Sequence, residues 1–295
     1  MPAQDADTIQ DARAPAAASI DSADELQVQP AGFLIELSLD WIVLRASENV
    51  DRFIGESHVT LIDEPLGRFV QAQALHDLRN QFARLSGSTG VARAYRVRLA
   101  DDRPRLDIAF QLSEGRVLLE AVPSPERDLG TAIGSVGGLI AGLAGLRGDK
   151  LLEAAARRVR ALAGCDWALL VHRDQSGERS VHSSRAGVGD PELVRDLPAI
   201  VADSAAAPVP IFPRKGGDKS IARALLRAPT EQGLRRLQER SVGSAITVPL
   251  SLGGQQPGVI QCQNRTGRAP NLELHAAIEL YAQLLAMRLE IDRLR

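Results

Sequence analysis

The sequence predicts an α+β protein with two domains, each an antiparallel sheet flanked by helices, and with long linker and C-terminal helices. Three observations support this prediction. The chain has 295 residues, enough for two cores because domains usually run to about 100–150 residues. Hydrophobic residues make up 44% and charged residues 24%, which is typical of a globular protein. Short segments with strand-like alternation recur in both halves, and segments with helical spacing lie between them.

The N-terminal segment, residues 1–25, is rich in Ala, Asp, Ser and Gln without periodicity, and it is predicted to be disordered. The first domain is expected at residues 26–125. Its first two strands are predicted at Phe33–Leu37 and Trp41–Leu44, with a polar turn between them.

A short helix is predicted next, with Ser47 as its cap and Gly55 near its end. Apolar residues at three- and four-residue spacing then predict a longer helix at Ala74–Leu85. Three alternating strands complete the first domain, at Ala94–Leu99, Arg105–Leu112 and Val117–Glu120.

The segment at residues 126–149 is predicted to be a linker helix. Its stretch Leu129–Leu146 carries no charge and is almost long enough to cross a bilayer. However, its many glycines make it only weakly apolar, and each lowers helix propensity by up to about 1 kcal/mol. We therefore expect a linker or packed helix and no membrane span.

The second domain is expected at residues 150–295. A helix is predicted at Lys150–Leu162, with Gly164 placed to stop it. The apolar run Trp167–His172 predicts a buried strand, and Val181–Ser184 predicts a short return strand.

Between Pro191 and Pro213 the prolines rule out a single regular element. A polar helix is predicted to end within Gly233–Arg240. Two strands, Ser244–Leu250 and Gly258–Cys262, are predicted to be joined through a Gly253-Gly254 turn.

The chain is predicted to close with a helix at Leu272–Arg295. Its apolar residues recur at alternating three- and four-residue intervals, the a/d pattern of a two-stranded coiled coil. The alternative is an amphipathic helix packed on its own sheet, which Tyr281 and Leu285 favour. We expect packing in the first half of the helix and homodimerisation in the second, through Leu280, Leu284, Met287, Ile291 and Leu294.

The charge pattern limits the partners of the protein. Net charge is -2 with both signs interspersed, and aromatic residues make up only 3%. These features argue against binding to nucleic acid or to an anionic membrane surface. The N-terminus has no positively charged segment before an apolar core, so no secretory signal is predicted and the cytoplasm is the expected compartment.

Reactive residues are few. Cys165 and Cys262 both lie in apolar segments that predict buried strands, where free Cys commonly acts as a small hydrophobe. A bridge between them stays open, but the sequence has no disulfide framework or paired zinc site. The five histidines lack recognised ligand spacing, which favours solvated or core histidines over heme or metal ligands. The sequence shows no Ser-His-Asp or Cys-His arrangement of a nucleophile and its base, so it does not predict an enzyme.

Several short motifs follow a recognisable order. Val28–Gly32 has the sequence Val-Gln-Pro-Ala-Gly, and Ala46–Asn49 has the sequence Ala-Ser-Glu-Asn. Ala207–Pro213 contains Pro-Val-Pro, and Ala224–Arg227 and Val242–Ile246 follow it. Phytochromes have Ile-Gln-Pro-His-Gly and Ala-Ser-x-Asn in their PAS domain, and similar ordered segments in their GAF domain. The chain therefore resembles the sensor half of a bacterial phytochrome, a PAS domain followed by a GAF domain.

The resemblance implies a bilin chromophore, and it also identifies what is missing. Bacterial phytochromes attach biliverdin through a Cys shortly before the first PAS strand, whereas plant and cyanobacterial relatives use one in the GAF domain. This chain has no Cys between Met1 and Gly164. Attachment needs a cysteine thiol, because the thiolate is the form that reacts with the bilin. Attachment through an N-terminal Cys is therefore excluded. Cys262 falls in the strand that ends with Cys-His-His in the family, which is not the attachment position.

The remaining pocket positions are also expected to have degenerated. The family's Ser-Pro-x-His motif corresponds to Thr230–Gly233, and its Cys-His-His corresponds to Cys262–Asn264. Its Pro-Ala-Ser-Asp-Ile-Pro motif is not recognisable in Gly187–Pro198. A bilin without these polar partners would leave buried groups unpaired, at roughly 1–3 kcal/mol each. The degenerate pocket positions are Val209, Ile211, Phe212, Gly233, Gln263 and Asn264.

These observations predict a signalling module that has no bound cofactor and acts by protein–protein contact. It would work as a homodimer through its terminal helix, on a separate signalling protein or on a missing output region. The alternative is a sensor that holds biliverdin or another apolar ligand non-covalently, in a GAF pocket near Val209–Phe212 and Ile246–Val248.

Overall fold

A computed structural model of the protein forms two antiparallel sheets with helices packed on them. The structure describes residues 27–85, 90–126, 131–174, 177, 179–185, 197–214 and 220–294. The predicted N-terminal disorder and the segment compared with Pro-Ala-Ser-Asp-Ile-Pro, up to residue 196, lie outside these residues.

The first sheet has seven strands in the order β1-β10-β3-β2-β6-β5-β4, and every neighbouring pair is antiparallel. Its strands are β1 (Gln27–Val28), β2 (Phe33–Leu37), β3 (Val43–Ser47), β4 (Val91–Val97), β5 (Leu106–Ser113), β6 (Arg116–Pro123) and β10 (Val209–Phe212). Three helices pack on one face: α1 (Asp51–Ile54), α2 (His58–Leu61) and α3 (Ala72–Ala83).

Strand β2 is buried along its whole length because both of its faces are covered. Phe33 and Ile35 pack into the core beneath α1, α2 and α3. Leu34 points to the opposite face, where it packs with Ile211 and Ile221 from the second half of the chain. The alternation of a strand therefore places β2 between two apolar clusters.

Two local expectations in this region were wrong. The strand predicted at Trp41–Leu44 begins only at Val43, because Trp41 has a φ of 67° and cannot continue an extended backbone. Ser47 does not cap the helix with its side chain. Its hydroxyl instead accepts a hydrogen bond from the N–H of Leu34 at 3.1 Å. The predicted end at Gly55 is confirmed, since Gly55 adopts the left-handed conformation with φ 98°.

The second sheet has five strands in the order β8-β7-β12-β11-β9, again all antiparallel. Its strands are β7 (Trp167–Arg173), β8 (Arg179–Ser183), β9 (Ile200–Val201), β11 (Ser244–Leu252) and β12 (Gln255–Asn264). The helices of this half are α4 (Thr131–Ala141), α5 (Gly148–Ala163), α6 (Glu231–Glu239) and α7 (Leu272–Arg293).

Two turns in this half confirm the sequence expectations. Gly164 ends α5 in the left-handed conformation, with φ 57°. Gly253 and Gly254 both have positive φ and join β11 to β12, as a two-residue hairpin turn requires. Cys165 was predicted to lie in a buried strand. It lies instead in the turn between α5 and β7, although it is buried.

The segment predicted as a linker helix contributes to the core of the second sheet. Val136 of α4 and Leu143 after it are buried in one cluster with residues of α5 and α7. Within the described residues, no helix combines the length and the apolarity that crossing a bilayer requires.

The two halves of the chain share a strand. β10 comes from the second half but pairs with β1 and β3 in the first sheet, with Val28 opposite Val209 and Ser47 opposite Ile211. The side chain of Gln29 also reaches the second sheet. It donates to the carbonyl of Ile200 at 2.5 Å and accepts from the N–H of Ala202 at 2.6 Å.

Candidate functional site

The five-stranded sheet has two different faces. On the helix face, α4, α5 and α7 cover Leu170, Ile260, Cys262, Val248 and neighbouring apolar side chains. Strand alternation turns the intervening residues to the other face, which we call the pocket face. The pocket face includes Trp167, Leu169, Ala245, Thr247, Gln261 and Gln263.

Buried amides on the pocket face satisfy one another. The indole N–H of Trp167 donates to the side-chain oxygen of Gln263, and the Gln263 amide donates to the side-chain oxygen of Gln261. Gln261 in turn donates to the hydroxyl of Thr247 at 3.1 Å. We call this chain of hydrogen bonds the amide ladder. Gln261 and Gln263 have no solvent exposure, so their bonding capacity is used inside the protein.

Apolar side chains cover the ladder at the Trp167 end. Trp167 packs with Val201, Leu237, Val242 and Ala245, and the partly buried Leu197 packs against this cluster. Leu237 comes from α6, so α6 lies over this part of the pocket face, and Val201 comes from β9 at the edge of the same sheet. The described residues therefore fill the region around Gln263 with protein side chains.

Gly233 borders the same cluster. It lies in the first turn of α6, where its N–H donates to the hydroxyl of the capping Thr230 at 3.1 Å. A Cβ added at Gly233 would lie 3.4 Å from Leu197. The structure thus connects Gly233 to Gln263 through Leu197 and Trp167. A methyl group at this position would be in van der Waals contact with Leu197, so a longer side chain directed toward Leu197 would have to displace it.

The other predicted pocket positions lie elsewhere. Val209, Ile211 and Phe212 belong to β10 in the seven-stranded sheet, where Ile211 is part of the apolar cluster beside β2. Asn264 closes the end of β12. Its amide donates to the hydroxyl of Ser244 at 3.1 Å, and its oxygen accepts from the N–H of Asp166 at 3.2 Å. The predicted positions therefore do not form a single pocket.

Both cysteines are buried, unbridged, and part of the helix-face core. Cys262 alternates with Gln261 and Gln263 along β12, so its thiol points away from the pocket face. Among the described residues, no three His, Cys, Asp or Glu side chains are grouped as metal ligands would be.

The sequence analysis missed a buried charged network between the two halves. Glu36 of β2 accepts hydrogen bonds from Arg45, from Arg116 at 3.1 Å and from the Ser220 hydroxyl at 2.8 Å. Glu36 and Arg45 are at most 1% exposed. The sequence did contain a signal, because a Glu inside the apolar run Phe33–Leu37 needs a buried partner.

Glu120 of β6 makes a second contact between the halves. Its carboxylate accepts the N–H of Leu226 at 2.7 Å, the N–H of Leu225 at 2.9 Å and the side-chain amide of Gln111 at 3.1 Å. Burial raises the pKa of Glu120 to about 7, although these donors oppose the shift.

Arg93 and α7 form a third contact. Arg93 of β4 donates to Glu279 at 2.5 Å and lies 3.1 Å from the Nδ1 atom of His275. Burial lowers the pKa of His275 to about 4, so the imidazole is neutral at neutral pH. Polar side chains on β2, β6 and β4 of the first sheet therefore connect it to Ser220, to Leu225 and Leu226, and to the N-terminal half of α7.

The two sheets, the strand that joins them and the polar contacts between the two halves form a two-domain architecture of the PAS–GAF type. Residues 23–123 match the family model PAS_2, described as a PAS fold. The chain as a whole has the fold of a phytochrome-like PAS–GAF module.

Solved phytochrome structures have the same fold. The chromophore-binding domain of a phytochrome from Stigmatella aurantiaca matches with a TM-score of 0.72 and 24% identity, over 88% of this chain and 95% of that domain. The chromophore-binding domain of an unusual bacteriophytochrome from R. palustris matches with a TM-score of 0.72 and 21% identity, over 90% of this chain and 95% of that domain.

A longer Stigmatella aurantiaca structure, a phytochrome photosensory core module, matches with a TM-score of 0.74 and 23% identity. The match covers 90% of this chain and 58% of that module. The chain therefore spans somewhat more than half of the photosensory core it resembles.

Proposed function

We propose that this chain is a phytochrome-like sensory module that does not attach a bilin covalently and that transmits its signal through protein–protein contacts. The observation that carries the proposal is the position of the thiols. The chain has only Cys165 and Cys262, and both are buried in the core on the helix face. Covalent attachment needs a thiol that can reach the chromophore, and the pocket face offers none.

The described part of the pocket face also does not fit a bilin. Where the family places pocket histidines, this chain has Gly233 and Gln263. The Gln263 amide is already bonded on both sides by Trp167 and Gln261. A bound tetrapyrrole would have to break these bonds or leave its ring nitrogens unpaired, and either costs about 1–3 kcal/mol per group.

The first experiment tests attachment. Purified protein is incubated with biliverdin, denatured, separated on a gel and viewed by zinc-enhanced bilin fluorescence. We expect no fluorescent band, because neither thiol faces the pocket. The matched control is the double variant C165S/C262S. A band in the native sequence that disappears in this variant would refute the proposal.

The terminal helix is the proposed route of output. Its stripe of Ala277, Ile278, Tyr281, Ala282, Leu285 and Ala286 packs into the second core. A separate stripe stays accessible: Leu280, Met287, Ile291 and Leu294 are 37%, 48%, 45% and 71% exposed. We propose that this exposed stripe pairs with a second copy of the chain, while the partly buried Leu284 supports it from the edge.

The second experiment tests this pairing. The variant M287D/I291D places two charges in the exposed stripe and should convert a dimer into a monomer in light scattering. Because both sites are about half exposed, its unfolding free energy should change by no more than about 1 kcal/mol. The matched control is Val59→Asp, the same kind of change at a residue that is 73% exposed in α2. An unchanged oligomeric state in M287D/I291D would discard the helix as the dimer contact.

No catalytic role is part of this proposal, since the matching structures are photosensory and chromophore-binding modules. A cytoplasmic location is part of it, and it rests on the sequence features described above. A separate signalling protein or a following output region would receive the signal from α7.

A further inference from the structure

The terminal helix α7 is attached to the first domain at its N-terminal half. Its first residue, Leu272, is buried in the same apolar cluster as Ala109 of β5. Two turns further along the helix, the Glu279 carboxylate accepts a hydrogen bond from Arg93 of β4 at 2.5 Å. An apolar contact and a charged contact therefore both join this end of α7 to the first sheet.

His275 completes the charged contact, and we call Arg93, His275 and Glu279 the clamp. His275 and Glu279 are four residues apart, so they lie on one face of α7. The Nδ1 atom of His275 lies 3.1 Å from the Arg93 guanidinium. A guanidinium can only donate, so Nδ1 accepts and Nε2 carries the imidazole proton. The side chains of Arg93, Glu279 and His275 are 11%, 28% and 2% exposed, so salt in the solvent screens the clamp only weakly.

The hydrogen bonds of the clamp are incomplete. The Nε atom of Arg93 and the Nε2 atom of His275 are buried and have no hydrogen-bond partner among the described residues. A buried N–H group without a partner destabilises the closed arrangement, and it regains hydrogen bonds to water when the contact opens. The clamp is therefore easier to open than a fully bonded ion pair with the same burial.

The strand that carries Arg93 is suited to movement. β4 is the outermost strand of the seven-stranded sheet. Its pairing with β5 is interrupted between Ala94 and Val97, and Arg96 in this interval has a φ of 56°. Such bulges bend a strand and are common at sheet edges and beside functional sites. An edge strand with an interrupted ladder shifts more readily than a central strand, so β4 is the element that can open or close the clamp.

The helix carries a shift at the clamp to the exposed stripe. α7 is one continuous helix over Leu272–Arg293, and Leu280, the first residue of the stripe, directly follows Glu279. The stripe ends at Leu294, about 22 Å further along the helix at about 1.5 Å per residue. Because a helix turns and slides as a unit, a shift at Glu279 changes the direction in which the whole stripe faces.

We propose that the clamp gives the first domain control over the pairing of two copies through α7. With Arg93 bonded to Glu279, the helix holds its exposed stripe in the position that pairs. With the contact open, the helix shifts and pairing weakens. This inference rests on the proposed function for the dimer that it regulates, whereas the clamp itself is measured separately.

Hydrogen exchange in the full chain measures the clamp alone, in the monomeric background M287D/I291D. Amide exchange over His275–Ala286 should become about tenfold faster or more in Arg93→Gln, because a hydrogen bond between charged groups is lost. Glu279→Gln removes the same contact from the helix side and should give the same increase. The matched control is Arg68→Gln, which breaks the exposed pair of Arg68 with Glu64 in the first domain. Unchanged exchange in both clamp variants would overturn the clamp.

The dimer dissociation constant, measured by sedimentation without the two charges in the stripe, reports the output. It should rise about fivefold or more in Arg93→Gln and in Glu279→Gln, and stay unchanged in Arg68→Gln. The double variant R93Q/E279Q should show no larger rise than the stronger single variant, because both changes remove one contact.

The two measurements separate the possible failures. Faster exchange with an unchanged dissociation constant would mean that the clamp is only structural, and would overturn the proposal. A native chain that stays monomeric would refute the proposed function and the output of the clamp together, while the exchange measurement would still decide on the clamp itself.

Discussion

The molecule has two buried polar networks that differ in charge and in location. The network between the two halves contains charges: Glu36 contacts Arg45 and Arg116 and accepts from Ser220 of the second half, and Glu120 accepts from backbone N–H groups of that half. The amide ladder on the pocket face is neutral and stays within one sheet. The comparison teaches that the contact between the halves includes a titrating group, Glu120, whereas the described polar groups of the ladder on the pocket face do not titrate.

The charged network should make stability depend on pH through Glu120. Its native pKa of about 7 exceeds the value of about 4.3 expected in the unfolded chain. Between these values the native carboxyl holds a proton that the unfolded one has released. The Glu120 contribution to the unfolding free energy therefore falls as pH rises from about 4.3 to 7, by up to about 4 kcal/mol, and is constant above that.

Urea unfolding at pH 5 and pH 8, for the native chain and for Glu120→Gln, isolates this contribution. In the variant, the unfolding free energy should fall much less between pH 5 and pH 8. The variant should also be less stable at every pH, because its amide NH₂ group replaces an oxygen that accepts a hydrogen bond from a backbone N–H. His275, whose native pKa is about 4, contributes with the opposite sign between about 4 and 6.5, and it cancels in the difference. The same pH dependence in both proteins would contradict a buried, titrating Glu120.

The neutral ladder should give a smaller effect that does not change with pH. Gln263→Met keeps the volume but leaves the Trp167 N–H and the Gln261 oxygen without their partner. It should cost about 1–3 kcal/mol of unfolding free energy. A double-mutant cycle with Trp167→Phe should give a coupling of about 0.5–3 kcal/mol, because the two side chains bond to each other. Additive losses would mean that the ladder is not a connected network.

Much of the fold follows from local patterns in the sequence. The helices at Ala72–Ala83 and Leu272–Arg293 and the hairpin at Gly253-Gly254 were predicted to within a few residues, because periodicity and turn chemistry are local. The pairing of Val209 with Val28 was not predicted. The two residues are far apart in the chain, and no local pattern encodes which distant strand completes a sheet.

The candidate site was less accessible from sequence for the same reason. The absence of a Cys between Met1 and Gly164 and the amide at Gln263 could be read directly, but not the hydrogen bonds that join this amide to Trp167 and Gln261. Glu36 and Glu120 were detectable as charges within apolar strands, a pattern that predicts a buried partner without identifying it.

The absorption spectrum of the native protein with biliverdin tests the central claim most directly. The protein is co-expressed with heme oxygenase, purified, and measured in the visible range after red and after far-red illumination. The filled region around Gln263 in the described part of the pocket face, together with thiols confined to the helix face, predicts no bound pigment and identical spectra. A red-absorbing band that interconverts under the two illuminations would contradict the account.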